Sequence, residues 1–445
     1  MSHPRWPARW RPRTSRAPSA SRGRRGPSWA SSMHHILPRD IVLLAAARTP
    51  IGRFNGSLSD FGAIDLGALA IGAAVSRAGV DPARVDAANM GVVVSAGLGL
   101  APAKAACVRA GLPDTIQARA VETVCASAMD AIALACDSLV LETSQVVVAG
   151  GMESRTNAPY LLGPKFCRST DRCERGLRLR VKRRGAYRFL IDEDHEEQLR
   201  ATDMIDPTTY DGLFWPEERK FMRQYALEFA ERRGYTPELV NQFAAESHRK
   251  AREATEKGLF REEIVPAGQV ADDDLLPADR LQRELAENPD DLASAYNAST
   301  PADNASAVVV TTAQRAAEMG CKPLARILGY ARLDGPASDY VAAPVRVVSH
   351  LTDALRAAGR PTDFTIIEVN EAFGVQLPMF AEAFQGMEIN VHGGAIALGH
   401  PLGAAGARIL TTLVHAMRRY GHRLGLAAIC YGGGGAYAMA LEALA

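Results

Sequence analysis

Two residues of this chain have side chains and surroundings that suit nucleophilic catalysis. Cys125 lies where a predicted loop enters an Ala-rich helix. Free backbone N–H groups and the positive end of a helix favour a thiolate there, and the same amides can stabilise an oxyanion. His400 lies between Gly399 and Pro401 at a predicted helix start, and imidazole is suited to deprotonating a thiol near neutral pH. Taken singly, such a cysteine is more often a small core residue, and an isolated histidine is more often structural.

Two further candidates follow predicted strands. Cys430 is followed by Tyr431 and then by the glycines 432–435. A glycine-rich turn can cradle phosphate, although this one lacks the Lys-Ser/Thr pair of a P-loop and the spacing of a dinucleotide fingerprint. It can equally place a cysteine beside exposed amides. Asn370 begins the segment 370–373, where its amide can hold a water or a carbonyl oxygen, or cap a helix.

The elements that must position these residues occur twice in the same order. Each half is predicted to run strand, helix, strand, helix, polar loop, helix, strand and glycines. Strands alternating with helices indicate an α/β fold with parallel or mixed sheets covered by helices. Two such units predict two stacked halves with a site between them, at helix starts and strand ends. The predicted strands are 41–47, 90–95, 145–149, 307–310, 324–329, 364–369 and 424–430, and the predicted helices are 64–78, 102–110, 126–141, 236–258, 347–358 and 403–420.

The domain organisation expected from this pattern has three parts. Residues 1–38 form an extension, residues 39–318 the first half and residues 319–445 the second. The first half contains a long insertion at about 154–297, within which residues 272–283 are predicted to be a polar loop.

The extension at residues 1–38 is predicted to be disordered, because it has eight arginines, several serines and prolines, and no acidic residue. Two interpretations remain open. It is a transit peptide, since these are rich in Arg and Ser and poor in acids, or it is an upstream extension of the reading frame, with Met33 as the natural start. The absence of an amphipathic helical pattern favours the second.

Composition narrows the functional classes to which the protein can belong. The net charge of +1 gives no electrostatic reason to expect nucleic acid, and no apolar run reaches the roughly 18 residues of a membrane span. The seven cysteines are odd in number, and none has the spacing of a CxxC or zinc motif. We therefore expect a reducing compartment, the cytoplasm, with most cysteines in the core.

Together the motifs closely resemble the thiolase family over about residues 40–445. The matches are a Cys125-Ala-Ser loop, an NEAF segment at 370–373, a GHP loop containing His400 and a C-terminal C-x-GGG, all in the family's order. The stretch GGAIALGHPLGAAGAR is highly specific. Further matches are RTPIG at 48–52, VAGGMES at 148–154 and NAS at 297–299.

The resemblance implies a layered α/β/α/β/α fold with a loop-domain insertion, and an acyltransferase that uses two cysteines. Cys125 would carry the acyl group, and His400 would activate it and help to bind a thioester oxygen. Cys430 would exchange a proton with the α-carbon of the second acyl group. The reaction is a reversible Claisen condensation, or thiolytic cleavage of a 3-ketoacyl-CoA.

The family also implies the supporting groups. Asn370 would position a water in the oxyanion hole for the enolate, and the amides of Cys125 and Gly432 would form the other hole. Ser299 would contact the pantetheine arm of coenzyme A. No metal or bound cofactor is required, since coenzyme A is the co-substrate. A homodimer or homotetramer is expected. The basic run 168–188 is a solvated surface loop, or a contact for coenzyme A phosphates or another subunit.

Several positions depart from the family pattern and bear on substrate range. Glu122 stands where the family usually has Asn, and Ala128 and Ala436 replace glycines. The segment 222–226 replaces a more usual MGxTAE, and Tyr160 stands where some short-chain members have His. Two alternatives follow. One is a decarboxylating ketosynthase-like enzyme, against which Cys430 argues. The other is a catalytically silent acyl-CoA-binding subunit, which only Glu122 and the altered segment support.

Overall fold

The computed structural model describes residues 31–162, 178–181, 187–190 and 204–444. Its strands are β1 (Ser31–Arg48), β2 (Gly52–Arg53), β3 (Ala87–Gly91), β4 (Gln117–Val121), β5 (Val146–Glu153), β6 (Leu161–Leu162), β7 (Arg178–Val181), β8 (Tyr187–Leu190), β9 (Met204–Ile205), β10 (Phe214–Trp215), β11 (Lys220–Phe221), β12 (Ala302–Thr312), β13 (Ala325–Asp334), β14 (Ile366–Val369), β15 (Glu388–Ile389), β16 (Leu424–Tyr431) and β17 (Gly435–Ala443). Its helices are α1 (Ala63–Ala78), α2 (Pro102–Arg109), α3 (Ser127–Val140), α4 (Pro207–Leu213), α5 (Met222–Arg233), α6 (Pro237–Glu256), α7 (Ala278–Glu287), α8 (Ala313–Met319), α9 (Ala343–Ala357), α10 (Leu377–Ala383), α11 (Ala395–Leu398) and α12 (Ala405–Tyr420).

The sheet topology is duplicated. The first half places its strands in the order β4-β3-β5-β12-β1, and the second in the order β15-β14-β16-β17-β13. In both sets the first three strands are parallel and the last two pairings are antiparallel. The sets join edge to edge, because β1 pairs antiparallel with β13. The order of strands and helices that repeats along the sequence thus corresponds to an order of strands that repeats within the sheet.

The fold has five layers, because alternate side chains of each strand point to opposite faces of the sheet and both faces are covered by helices. Val147 and Ala149 of β5 pack in a central core with α3 and α12, whereas Val146 and Val148 pack in an outer core with α1 and α2. Strands of the second half likewise contribute to the central core and to a second outer core with α5, α9 and α10. Side chains that alternate between two covered faces give nearly continuous apolar strands. The predicted α/β/α/β/α layering is confirmed.

Most predicted elements are present, with ends displaced by a few residues. The predicted loop at 272–283 is wrong at its end, because α7 begins at Ala278. That helix follows Pro277, and Leu281 and Leu285 share one face four residues apart, which is enough to bury Leu281 on a mostly polar helix. The expected disorder of residues 1–38 is wrong for residues 31–38, which lie in strand β1, where residues 31–36 pair with β13. Most of the basic run at 168–188 lies outside the described residues.

A buried ion cluster attaches the insertion to the first half. Arg48, at the end of β1, has a fully buried side chain. Its Nη1 and Nη2 donate to both carboxylate oxygens of Asp273 at 2.7 and 2.9 Å, and its Nε donates to Glu263 at 2.7 Å. Such a bidentate pair is strong only while every partner stays in place.

Replacing the arginine should expose the cost of leaving two carboxylates buried without their partner. Arg48→Met should lower the free energy of unfolding by about 3–5 kcal/mol. The matched control is Arg356→Met, which breaks an exposed pair with Asp353 on α9 and should cost less than about 1 kcal/mol. Denaturant unfolding of both variants measures the difference. Equal effects would show that the cluster contributes no more than a surface pair.

Candidate active site

Cys125 lies in a tight turn between β4 and α3. A short 3-10 turn covers Val124–Ala126, and α3 begins at Ser127. The hydroxyl of Ser127 donates to the carbonyl of Val124 at 2.6 Å and accepts from the N–H of Thr123 at 2.8 Å. The Cys125 side chain is buried, with 8% of the residue exposed. The turn therefore holds the thiol at the start of a helix, as the sequence predicts.

Cys430 lies one residue before the end of β16 and is 1% exposed. Gln376 Nε2 lies 3.6 Å from its sulfur and donates to it, and also donates to the carbonyl of Val341 at 3.1 Å. Burial raises the pKa of the Cys430 thiol to about 11, and the bond from Gln376 opposes that rise. Gln376 was not among the residues singled out from sequence, because no motif marks a glutamine six positions after Asn370.

Cys430 lies close enough to Cys125 to affect the pKa of the Cys125 thiol. Burial is the main cause that raises the pKa of Cys125, and the neighbouring Cys430 raises it further. Hydrogen bonds from the amides of Gly432 and of Cys125 itself lower it, as does the charge of Arg155, but burial prevails. The amides at the helix start do lower the pKa of Cys125, but desolvation outweighs them, so the net shift favours the neutral thiol.

His400 enters the site on a backbone held by the segment that precedes β12. Its N–H donates to the carbonyl of Thr300 at 2.8 Å, and 5% of the residue is exposed. Neither ring nitrogen has a hydrogen-bond partner among the described residues. Burial, followed by the charges of Arg155 and Arg408, lowers the pKa of His400 to about 3. The imidazole is therefore neutral at neutral pH, with both nitrogens available to a reacting group.

Asn370 and Ser299 lie on two segments that contact each other. Asn370 is fully buried at the end of β14, and neither its side-chain oxygen nor its nitrogen is hydrogen-bonded within the described parts of the chain. Buried amides normally have partners, so this one is suited to a water or a substrate oxygen. The Ser299 hydroxyl donates to the carbonyl of Ala372 at 2.8 Å. It lies between the Asn370 loop and His400, since Ala298 bridges to Phe373 and Pro301 to His400.

Glu153 ties the two halves together beside the site. Its carboxylate accepts from the amide of Gly403 at 2.8 Å and from the amides of Val93 and Val94 at 3.1 Å. A Cβ on Gly151 would lie 2.0 Å from the Gly403 carbonyl oxygen, so no other residue fits there. The sequence motif at 148–154 contains Glu153 and Gly151, but its position beside the histidine loop comes from the tertiary structure.

Two other buried side chains near the thiols were not predicted from the sequence. Arg155 Nη2 donates to the carbonyl of Thr208 at 2.6 Å, and its charge acts on both Cys125 and His400. The hydroxyl of Tyr340 donates to the carbonyl of Met222 at 2.8 Å. Neither residue lies in a motif, so only burial and proximity identify them. In the described part of the chain no group of three or more His, Cys, Asp and Glu could hold a metal ion.

Comparison with known proteins decides the family. The family model described as "Thiolase, N-terminal domain" matches residues 41–314, and the family model described as "Thiolase, C-terminal domain" matches residues 321–443. The chain belongs to the thiolase family. It is 37% identical over 422 residues to an acetyl-CoA acetyltransferase of Escherichia coli K12, covering 91% of this chain and 100% of the relative.

Solved structures agree with the sequence relatives. This thiolase matches the crystal structure of Bacillus anthracis acetyl-CoA acetyltransferase at 30% identity and a TM-score of 0.78, over 92% of this chain and 100% of that one. It matches the Acat5 thiolase of Ascaris suum in complex with coenzyme A at 31% identity and a TM-score of 0.76, over 91% and 100%.

As a thiolase, the protein is an acyltransferase that works on coenzyme A thioesters through an acyl-cysteine, in reversible Claisen condensation or thiolytic cleavage of 3-ketoacyl-CoA. Coenzyme A is a substrate and not a resident cofactor. No helix among the described residues is long and apolar enough to cross a membrane.

The raised pKa of Cys125 predicts the pH dependence of its alkylation. Iodoacetamide reacts with the thiolate, so in the substrate-free enzyme the rate should rise about tenfold per pH unit from pH 6.5 to 8.5 without a plateau. Peptide mapping should find the label on Cys125 rather than on the buried Cys107 and Cys136, and Cys125→Ser should remove this phase. A plateau below pH 8 would mean that the thiolate is stabilised at rest.

Proposed function

We propose that Cys125 is the acyl-carrying nucleophile of this thiolase and that Cys430 is the residue that exchanges a proton. The observation that carries this assignment is the pairing of the two buried thiols, with the Gly432 amide hydrogen-bonded to the Cys125 sulfur. Two separate thiols are needed, because a sulfur that carries an acyl group cannot also accept a proton.

In the first step the Cys125 sulfur attacks the thioester carbonyl. Its proton passes to the neutral imidazole of His400 and then to the departing coenzyme A sulfur. A carbon–sulfur bond to Cys125 forms as the bond to coenzyme A breaks, so bond energy changes little. The amides of Cys125 and Gly432 support this step, since amide donors stabilise a developing oxyanion strongly in a dry site.

In the second step Cys430 first passes its own proton to the neutral imidazole of His400. As the thiolate, it then removes a proton from the α-carbon of a second acyl-CoA. The side chains of Asn370 and His400, which have no hydrogen-bond partner among the described residues, are suited to the enolate oxygen, Asn370 through a water. The α-carbon then attacks the acyl group on Cys125, and the Cys125 sulfur leaves and takes the proton from His400, which restores the neutral thiol and the neutral imidazole. Thiolysis runs the same steps in reverse, with coenzyme A as the attacking thiol.

The substrate class follows from the relatives and the loop geometry. We infer that acetyl-CoA and acetoacetyl-CoA are substrates, because the similar enzymes are described as acetyl-CoA acetyltransferases. Ser299 lies between the Asn370 and His400 loops and keeps an oxygen free to accept a bond from the pantetheine arm. Thiolysis assays with acetoacetyl-CoA and with longer 3-ketoacyl-CoA substrates test the chain length. Lack of activity with every one would favour a silent acyl-CoA-binding subunit.

Location and domain division are part of the same proposal. We place the enzyme in the cytoplasm, because five described cysteines are free thiols and thiols stay reduced there. We divide the folded chain into halves at 39–318 and 319–445, because each half contains one complete five-strand set.

We also propose a homo-oligomer, joined through β4. This strand is at one end of the sheet, and Gln117, Arg119 and Ala120 are exposed. An open sheet edge readily pairs with another strand, and β4 ends only four residues before Cys125. Light scattering at micromolar concentration should give a particle of at least two 47.7 kDa chains, and Ala120→Pro should weaken it by removing a strand donor. A monomeric wild type would contradict the proposal.

The sharpest test separates the two thiols. Cys430→Ser should still accept an acetyl group from acetyl-CoA onto Cys125, but should lose most condensation and thiolysis, because an alcohol is too weak an acid to exchange the α-proton near neutral pH. Cys125→Ser should fail earlier, at acetylation, since an alcohol is a poorer nucleophile toward a thioester. Intact-mass detection of acetyl-enzyme alongside steady-state thiolysis measures both.

Two outcomes would contradict this division of roles. A Cys430→Ser enzyme that cannot be acetylated would place Cys430 in the first step. One that keeps near-normal turnover would make Cys430 a structural residue of the strand end.

A further inference from the structure

The residue immediately before the nucleophile has an unfavourable backbone. Val124 has φ +46°, in the left-handed region. A β-branched side chain at such an angle is a genuine outlier and costs on the order of 1–3 kcal/mol. Contacts around the residue must supply that energy, or the turn would relax and move Cys125.

Side chains bind both peptide groups of Val124. Glu122 Oε1 accepts from its N–H at 2.8 Å, and the Ser127 hydroxyl donates to its carbonyl at 2.6 Å. Ser127 belongs to the family's CxS motif, whereas Glu122 is the residue that departs from the family's Asn. A side-chain oxygen that accepts from the Val124 N–H holds this peptide group in its orientation.

The strained turn also determines what Cys125 faces. The Val124 side chain packs against the last glycine-rich loop, with Cγ1 3.7 Å from the position of a Cβ on Gly432. That contact lies beside the Gly432 amide that bonds the Cys125 sulfur. If Val124 relaxed to a negative φ, the side chain and the thiol would both leave this loop.

We propose that Glu122 is a positioning residue that holds Val124 in the left-handed conformation and thereby directs Cys125 toward the Gly432 amide. The inference rests on the proposed function of Cys125. Glu122 acts as a hydrogen-bond acceptor and not as a charge, and it touches no reacting atom. The departure from Asn is thus part of how this chain presents its nucleophile.

The test measures alkylation of Cys125 by iodoacetamide and acetylation by acetyl-CoA. Glu122→Ala removes the acceptor and should slow both by about threefold to thirtyfold. Glu122→Gln keeps an acceptor oxygen at the same chain length and should restore most of the rate. The matched control is Glu287→Ala, an exposed carboxylate at the end of α7, which should leave both rates unchanged.

A second variant tests the conformational reason. Glycine adopts a positive φ without strain, so Val124→Gly removes the need for the clamp. In that background Glu122→Ala should slow acetylation far less than it does in the wild type, and the double-mutant cycle should be non-additive. Thermal unfolding of each variant shows whether it is folded.

The outcomes separate the two proposals. If wild-type label does not map to Cys125, the proposed nucleophile is wrong. If it maps to Cys125 and Glu122→Ala reacts at the wild-type rate, only the positioning role is wrong. A Glu122→Gln enzyme as slow as Glu122→Ala, or additive effects in the cycle, would likewise overturn the clamp.

Discussion

The close approach of two backbones beside Glu153 is the constraint on which the site depends. Glycines at 151 and 403 let two backbone segments approach to a distance at which any Cβ would collide. The Glu153 carboxylate accepts hydrogen bonds from backbone amides of both halves. Burial raises the pKa of Glu153, while these amides oppose the rise. The contact lies three residues beyond His400. It therefore brings a histidine from the second half to a cysteine of the first, which neither half could do alone.

The duplicated topology places different chemistry at equivalent positions. The connection between β4 and β5 holds Cys125 in the first half, and the equivalent connection between β15 and β16 holds His400 in the second. The end of β5 holds Glu153 in the first half, and the end of the equivalent strand β16 holds Cys430 in the second. A fold that duplicates loops at strand ends and helix starts thus supplies the proposed nucleophile, the proposed proton acceptor, a second thiol and a structural carboxylate from only two kinds of position.

Burial determines the protonation states of the titratable side chains in the site. The pKa values of both thiols are raised and that of the histidine is lowered, so the proposed reacting groups are neutral before substrate enters. A dry site makes each charge costly, but it also makes each oriented donor effective at the moment when charge develops. The side chains of Asn370 and His400 have no hydrogen-bond partner within the described parts of the chain, and this fits the arrangement, because their hydrogen-bonding capacity is left for reacting oxygens and protons.

The sequence by itself determined the family, the duplicated element order and the identity of the candidate side chains. Periodicity and motif spacing depend on neighbours along the chain, and these are fully present in the sequence. The helical end of the segment 272–283 and the strand at 31–38 were not foreseen, because each depends on a surface or a partner strand from far along the chain.

Only the tertiary structure decided how the candidate residues behave. The Gln376 bond to Cys430, the contact of Glu153 with the histidine loop and the clamp of Glu122 on Val124 all join residues through space or through an unusual backbone angle. The neutral state of Cys125 reverses what its helix-start position suggests. The physical reason is that desolvation depends on everything packed around a group, whereas the sequence specifies only which group is to be packed.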